Sequence, residues 1–226
     1  MTEARSPSPR LARSGILALL ALVMIATRSA LMRDHVAPLP DASWAVFFIA
    51  GFYCASGTRE RLFGLATRGF AAVSLLGLLA LAVAIDWWVI SAQGIAFWSH
   101  YCVSPAYWLL APAYALLWLG GGWLRSRYRG LHLRELGLLA ASALVATTAC
   151  FIVSDSSYYW LSDSWMTAAA ATRSVGGWLK NFGDWYWTFV RVTLAYVAVA
   201  AALHVVATLL WQALPTTGQV GPARRG

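Results

Sequence analysis

Charged residues are scarce in this sequence. Only 12% of its 226 residues are Asp, Glu, Lys or Arg, whereas 60% are hydrophobic. About a quarter of the residues of an ordinary soluble domain are charged, and so few polar groups cannot shield this much apolar surface from water. The composition therefore excludes a soluble globular domain and predicts one membrane domain.

Cysteine is also rare, and the three cysteines stand far apart, at positions 54, 102 and 150. The absence of a C-x-x-C pair excludes a zinc ribbon, and the spacing builds no disulfide framework. A quinone-linked thiol oxidoreductase is disfavoured, because it needs a resolving thiol near the first. The run Gly120–Gly122 is not followed by G-K-[ST], which excludes a phosphate-binding loop, and we expect it to loosen the inner end of a helix.

Six long apolar runs are present instead. A spanning helix needs about 20 apolar residues, fewer where flanking arginines reach the interface. The runs are continuous rather than alternating, which favours helices over a membrane β-barrel. The sequence thus predicts an all-α bundle over residues 14–214, between tails at 1–13 and 215–226. The predicted transmembrane segments are Ser14–Thr27, Ala42–Ser56, Leu62–Ile85, Val103–Leu124, Leu136–Val153 and Val192–Leu214.

Basic residues are unevenly distributed between the connections. With a cytoplasmic N-terminus, the inner segments carry 12 of the 17 basic residues against three glutamates, and the outer segments carry five against six aspartates. Cytoplasmic connections of membrane proteins are enriched in Lys and Arg. The pattern predicts a multi-pass protein of the cytoplasmic (inner) membrane with both termini inside. It also accounts for the net charge of +8 without a nucleic-acid partner.

The outer connections are predicted to be long and aromatic. The longest runs from Ser154 to about Trp187 and is rich in Trp and Tyr. Loops of this length are usually functional or disordered, and this one is too aromatic for disorder. We expect it to fold over the outer helix ends as a cap, with a short helix at Ser164–Thr172.

The stretch Ser99–Tyr107 concentrates residues capable of chemistry, namely His100, Tyr101, Cys102 and Tyr107. Pro105 favours the first turn of a helix and Ser104 is a suitable N-cap. Cys102 would then face the positive end of that helix, which favours a thiolate. A thiolate is a soft metal ligand or a nucleophile, and a cysteine here is equally explained as a small buried residue.

Other polar residues near the predicted helices are weaker candidates for a functional role. His100 is a second ligand, a base or a polar residue at a wet boundary. Asp86 is predicted to end the third segment, where it anchors the helix at the interface or accepts a hydrogen bond from a ligand. His204 is the only histidine at membrane depth, and Pro112 is expected to kink the fourth helix.

Five stretches carry a resemblance to a known family: Pro38–Tyr53, Tyr101–Tyr107, Pro112–Leu119, Ser157–Trp160 and Thr193–Ala198. They resemble BtuM-type proteins, the solitary cobalamin-specific S-components of the energy-coupling-factor transporter class. The similarity covers most of residues 14–210, and its specific part is the cysteine motif together with the second-helix signature, Pro38–Tyr53.

The resemblance implies uptake of cobalamin or a related corrinoid through an S-component-like bundle whose site opens to the outside. It implies Cys102 as axial ligand of cobalt, and Tyr107 matches a site tyrosine of the motif. By the same analogy, Cys102 promotes loss of the upper cobalt ligand, such as cyanide, as an accessory activity of a transport protein. The substrate-binding residues predicted are Cys102, Tyr107, Asp86, Tyr101, His100, Tyr158 and Trp160.

The resemblance also implies two kinds of partner, the lipid bilayer and a transmembrane coupling subunit. S-components usually dock that subunit through small residues on the first helix. Ala18 and Ala21 have a different spacing, so the coupling partner is the part of the resemblance that the sequence supports least.

An alternative function is a membrane cysteine transpeptidase or protease of the exosortase type. It requires a thiolate, a histidine base and an arginine at the outer face. The available sets combine Cys102 with His100 or His204, and with Arg28 or Arg191.

Overall fold

The computed structural model describes residues 9–29, 39–54, 65–100, 102–162 and 173–213. Regular structure within these ranges is entirely helical, which confirms the predicted all-α class. Two short 3-10 helices, Phe97–Ser99 and Pro105–Leu109, connect the third α-helix to the fourth. The α-helices are α1 Pro9–Arg28, α2 Ser43–Cys54, α3 Leu65–Ala92, α4 Leu110–Arg127, α5 Leu133–Leu161 and α6 Val175–Ala213.

Within the described ranges, four stretches of helix are long and apolar enough to cross a membrane. Large apolar side chains on their surfaces stay exposed, for example Leu76 and Leu203 at 63% and 64%. Apolar side chains on the outer surface are stable when lipid surrounds the protein, because lipid tails are as apolar as the side chains. The chain is therefore a helical membrane protein. The four stretches are Leu11–Arg28, Gly69–Ala92, Leu133–Leu161 and Val175–Ala213.

The short helix α2 occupies the centre of the bundle. Ten of its 12 residues are buried, and it has no polar face because other helices surround it. A methyl group added to Gly121 of α4 would lie 1.9 Å from the carbonyl oxygen of Phe48, and one on Gly51 would lie 2.2 Å from that of Trp118. The backbones of α2 and α4 therefore touch, as small residues allow in membrane bundles.

The glycines near the end of α4 allow close packing of that helix against its neighbours. The expectation that they loosen the helix end was therefore wrong. A methyl group on Gly120 would lie 2.5 Å from the Cβ of Ala146 on α5. The Ser142 hydroxyl of α5 also donates a hydrogen bond of 2.9 Å to the Gly120 carbonyl. Adjacent glycines thus let α4 approach two neighbours at once.

The predicted long outer loop from 154 to 187 is also wrong. α5 continues to Leu161 and α6 begins at Val175, so only residues 162–174 connect them. With 39 residues, α6 is about 58 Å long, nearly twice the hydrocarbon thickness of a bilayer. Hydropathy detects only the part of a helix that lies in lipid. In α5 and α6 the helix continues past that part through turns of polar and aromatic residues. The short helix predicted at Ser164–Thr172 lies outside the described residues.

Three further expectations about the helices were wrong. α1 begins at Pro9, within the predicted tail, and α3 runs past Asp86 to Ala92. Pro112 is the third residue of α4, where backbone N–H groups have no partner within the helix, so the predicted kink is wrong. The predicted tail at 215–226 lies outside the described residues.

The contact between α2 and α4 yields a first prediction. Gly121→Ala places a methyl group against the α2 backbone, which cannot move aside as a flexible side chain would. We expect a loss of about 1–3 kcal/mol in the free energy of unfolding, measured in detergent by tryptophan fluorescence.

Gly77→Ala is the matched control, because nothing lies within 4 Å of a methyl group at that position. A substitution there should be neutral or stabilise by up to about 1 kcal/mol. Equal effects of the two substitutions would contradict close packing of α2 on α4.

Candidate functional site

A cavity of about 420 Å³ lies at one end of the bundle, here called the cysteine end. At this end α1 and α3 finish, and α2 and α4 begin. Five of the residues singled out in the sequence line the cavity: His100, Cys102, Tyr107, Asp86 and Tyr158. The fold thus collects side chains from three separate parts of the chain around one space.

Arg28, the last residue of α1, is the charged anchor of this cavity. Its Nε and Nη2 donate to the two carboxylate oxygens of Asp86, each over 2.7 Å. This bidentate geometry is the strongest arrangement of an arginine with a carboxylate. Nη1 makes three longer contacts of 3.1–3.2 Å, to Asp41 Oδ2, Ser43 Oγ and Tyr114 Oη. The guanidinium therefore joins α1, α2, α3 and α4.

Tyr107 is held by the same network. Its hydroxyl donates to Asp86 Oδ2 over 2.8 Å, and its ring packs edge-on against Phe97. An ionised carboxylate only accepts hydrogen bonds, so the Tyr107 hydroxyl is the donor in this contact. Asp86 is thus a paired group on the cavity wall rather than a carboxylate that only anchors a helix end.

Cys102 lies in a turn immediately before the 3-10 helix Pro105–Leu109. Its backbone N–H donates to His100 Nδ1 over 3.3 Å, and the Val103 N–H donates to the His100 carbonyl over 2.8 Å. Pro105 occupies the first turn of the following helix, as predicted, but the Ser104 side chain makes no capping hydrogen bond. The turn places the half-buried Cys102 at the cavity wall.

Two predicted substrate-binding residues are not placed at the cavity. Trp160 is 37% exposed and does not line it. Its ring packs edge-on against that of Tyr159, and its backbone carbonyl accepts a hydrogen bond from Arg173. Tyr101 lies outside the described residues.

His204 lies at the opposite end of the bundle, between the hydroxyls of Tyr53 and Tyr128. It is therefore too far away to act as a base for Cys102. Arg191 is exposed on α6 and is not part of the cavity wall either. Of the sets considered for cysteine catalysis, only Cys102, His100 and Arg28 line the same cavity.

The chain matches no protein-family model and no curated protein.

Three polar wall residues were missed as candidate ligand contacts in the sequence, namely Arg28, Gln93 and Ser154. A usable signal existed for Arg28, because it ends one apolar run and Asp86 stands at the same predicted boundary of another. Opposite charges at one depth of a membrane commonly pair. Gln93 and Ser154 had no such signal, since both occur among ordinary polar residues.

The Arg28 network yields a second prediction. Arg28→Met leaves the Asp86 and Asp41 carboxylates without their cation, and Asp86 is only 18% exposed. Removing one partner of a buried pair typically costs about 3–5 kcal/mol, and we expect a loss of this size in the free energy of unfolding in detergent.

Lys180→Met provides the control, because Lys180 and Asp184 form an exposed pair, with side chains 76% and 54% exposed. Its loss should cost less than about 1 kcal/mol. Adding Asp86→Leu to Arg28→Met should recover part of the loss, since no buried carboxylate then remains at position 86. Equal costs at the two pairs would contradict the anchoring role of Arg28.

Proposed function

We propose that this chain binds cobalamin or a related corrinoid and takes it up across the cytoplasmic membrane, in the manner of a BtuM-type S-component. The Cys102 thiolate ligates the cobalt of the substrate. The observation that carries the proposal is the position of Cys102 on the wall of a polar and aromatic cavity.

The metal ligands that the protein offers favour a metal ion that is already bound in a macrocycle. Among the described residues, no three His, Cys, Asp or Glu side chains are grouped to hold a metal ion. A single soft thiolate is too little to retain a bare ion but is sufficient as one axial ligand. A corrin ring supplies the remaining equatorial ligands itself.

The other cavity walls suit a large flat ligand that carries amide groups. Val89, Ile90 and Leu110 provide apolar surface, and Tyr107 and Tyr158 provide aromatic surface. Gln93 and the Asp86 carboxylate offer hydrogen-bonding partners at the edge. A volume of about 420 Å³ lies within the range of small-molecule sites and would hold one face of the corrinoid, with the rest projecting outward.

The proposed topology has six crossings, with both termini in the cytoplasm and the cavity facing outside. The four long helices supply four crossings, and α2 and α4 supply the other two. α2 is short for a crossing, at 12 residues, but its burial removes the need to match lipid thickness. Support for the orientation comes from arginines that lie at or after the end of α4, opposite Cys102: Arg125, Arg127, Arg129 and Arg134.

Two accessory features belong to the same proposal. Thiolate ligation by Cys102 weakens the bond of cobalt to the ligand on its other face, which would assist removal of cyanide. A coupling subunit, where one takes part, would dock on α1, whose Leu11, Leu19 and Leu22 are 67%, 59% and 62% exposed.

A cysteine transpeptidase or protease remains the second candidate, because Cys102, His100 and Arg28 line one cavity. Two contacts weigh against it. His100 Nδ1 accepts the Cys102 backbone N–H, so a neutral ring carries its proton on Nε2 and has no open lone pair for the thiol proton. Most N–H groups of Arg28 are already directed at Asp86, Asp41, Ser43 and Tyr114.

A third prediction tests cobalt ligation. Hydroxocobalamin added to the purified chain should bind, and its visible absorption bands should shift because sulfur replaces an oxygen or nitrogen ligand. Cys102→Ala should abolish the shift, whereas Cys150→Ala, in the buried core, should preserve it. Failure to bind any corrinoid, or an unchanged shift in Cys102→Ala, would overturn the proposal.

A fourth prediction separates transport from cysteine catalysis. Iodoacetamide should alkylate Cys102, and bound cobalamin should protect it by occupying the sulfur. We expect His100→Gln to leave the alkylation rate within about twofold, because His100 is not the base that activates the thiol. A loss of about tenfold or more in that variant, without protection by cobalamin, would favour the transpeptidase.

A further inference from the structure

A second cavity lies at the end of the bundle opposite Cys102, here called the histidine end. Its volume is about 330 Å³, and α2, the α4–α5 connection, α5 and α6 surround it. Most of its wall is apolar, with Leu136, Leu139 and Val197 among the lining residues. The polar side chains on its wall are few, namely His204, Tyr53, Tyr128, His132 and Glu135.

His204 is held between two tyrosines. Its Nδ1 lies 2.7 Å from the Tyr53 hydroxyl, and its Nε2 lies 3.1 Å from the Tyr128 hydroxyl. Phe52 packs edge-on against all three rings, with centroid distances of 5.0, 5.5 and 6.0 Å. The cavity therefore has an aromatic wall with a rigid polar centre.

Proton counting shows that this centre retains a hydrogen-bond donor. A neutral imidazole has one N–H and one lone pair, so it accepts from one tyrosine and donates to the other. The tyrosine that accepts keeps its own O–H hydrogen for a different partner. A charged imidazolium would donate to both tyrosines and leave two such hydrogens, so at least one remains in either state.

Glu135 supplies the matching acceptor. The side chain lines the cavity and is only 5% exposed. Oε1 lies 3.9 Å from Arg134 Nη1, whereas Oε2 is buried and has no hydrogen-bond partner among the described residues. A buried carboxylate oxygen that accepts no hydrogen bond lowers the stability of the fold. Such an oxygen in a cavity wall indicates that a bound ligand donates the hydrogen bond.

We propose that this cavity binds a hydroxylated aromatic compound of the phenol class, independently of the corrinoid site. A phenolic hydroxyl donates to Glu135 Oε2 and accepts the remaining tyrosine hydrogen, while its ring packs in the aromatic wall. A volume of about 330 Å³ lies at the lower end of the range of small-molecule sites, which suits a phenol with a few methyl substituents.

The test compares 3,4,5-trimethylphenol with 1,2,3,5-tetramethylbenzene, in which a methyl group replaces the hydroxyl. Each is titrated into the full chain in detergent by calorimetry, with empty micelles as the blank. We expect saturable binding of the phenol, about tenfold tighter than that of the hydrocarbon. The reason is that the phenol hydroxyl forms hydrogen bonds with both Glu135 Oε2 and the remaining tyrosine hydrogen.

Glu135→Leu should reduce the preference by weakening only the phenol, and Lys180→Met, at an exposed position near the other end, should leave it unchanged. Equal affinity of the two compounds for the unaltered chain would overturn the proposal and identify a purely apolar cavity of the kind that an acyl chain fills. Absence of saturable binding, or a preference that Glu135→Leu does not reduce, would overturn it as well.

Discussion

The salt bridge between Arg28 and Asp86 is the constraint on which the cysteine end of the bundle depends. Charges are expensive to bury, and a pair is tolerated only with good geometry and further hydrogen bonds. Here both arginine–carboxylate distances are 2.7 Å, and Tyr107 donates to the same carboxylate. Because four helices meet at this pair, it determines where the cavity wall stands and how Tyr107 faces it.

Close backbone contact provides the complementary constraint within the bundle. Apolar side chains gain little from leaving lipid for other helices, so membrane helices associate through close packing and hydrogen bonds. Gly51 and Gly121 bring α2 and α4 together without intervening side chains, and Gly120 leaves room for the Ala146 methyl group of α5. The short α2 is thereby enclosed, and the longer helices shape a cavity at each end of it.

The two cavities differ in the way their polar groups are satisfied. At the cysteine end, the charged groups are already paired with one another, which leaves the Cys102 sulfur as the distinctive chemical group. At the histidine end, a tyrosine hydrogen and the Glu135 Oε2 have no partner among the described residues. The first arrangement suits a ligand recognised by its metal, and the second suits one recognised by a hydroxyl.

The sequence by itself determined the helical membrane class, because apolar runs and scarce charges depend on composition alone. It also identified Cys102, Tyr107, Asp86, His100 and Tyr158, whose chemistry is visible as residue type. Only the tertiary structure decided that these five share a cavity, that Arg28 pairs with Asp86, and that His204 lies at the far end. Pairing and cavity formation depend on which helices meet. For residues 58 positions apart, such as Arg28 and Asp86, the sequence indicates only that opposite charges stand at the same predicted membrane boundary, and the packing of the helices decides that they pair.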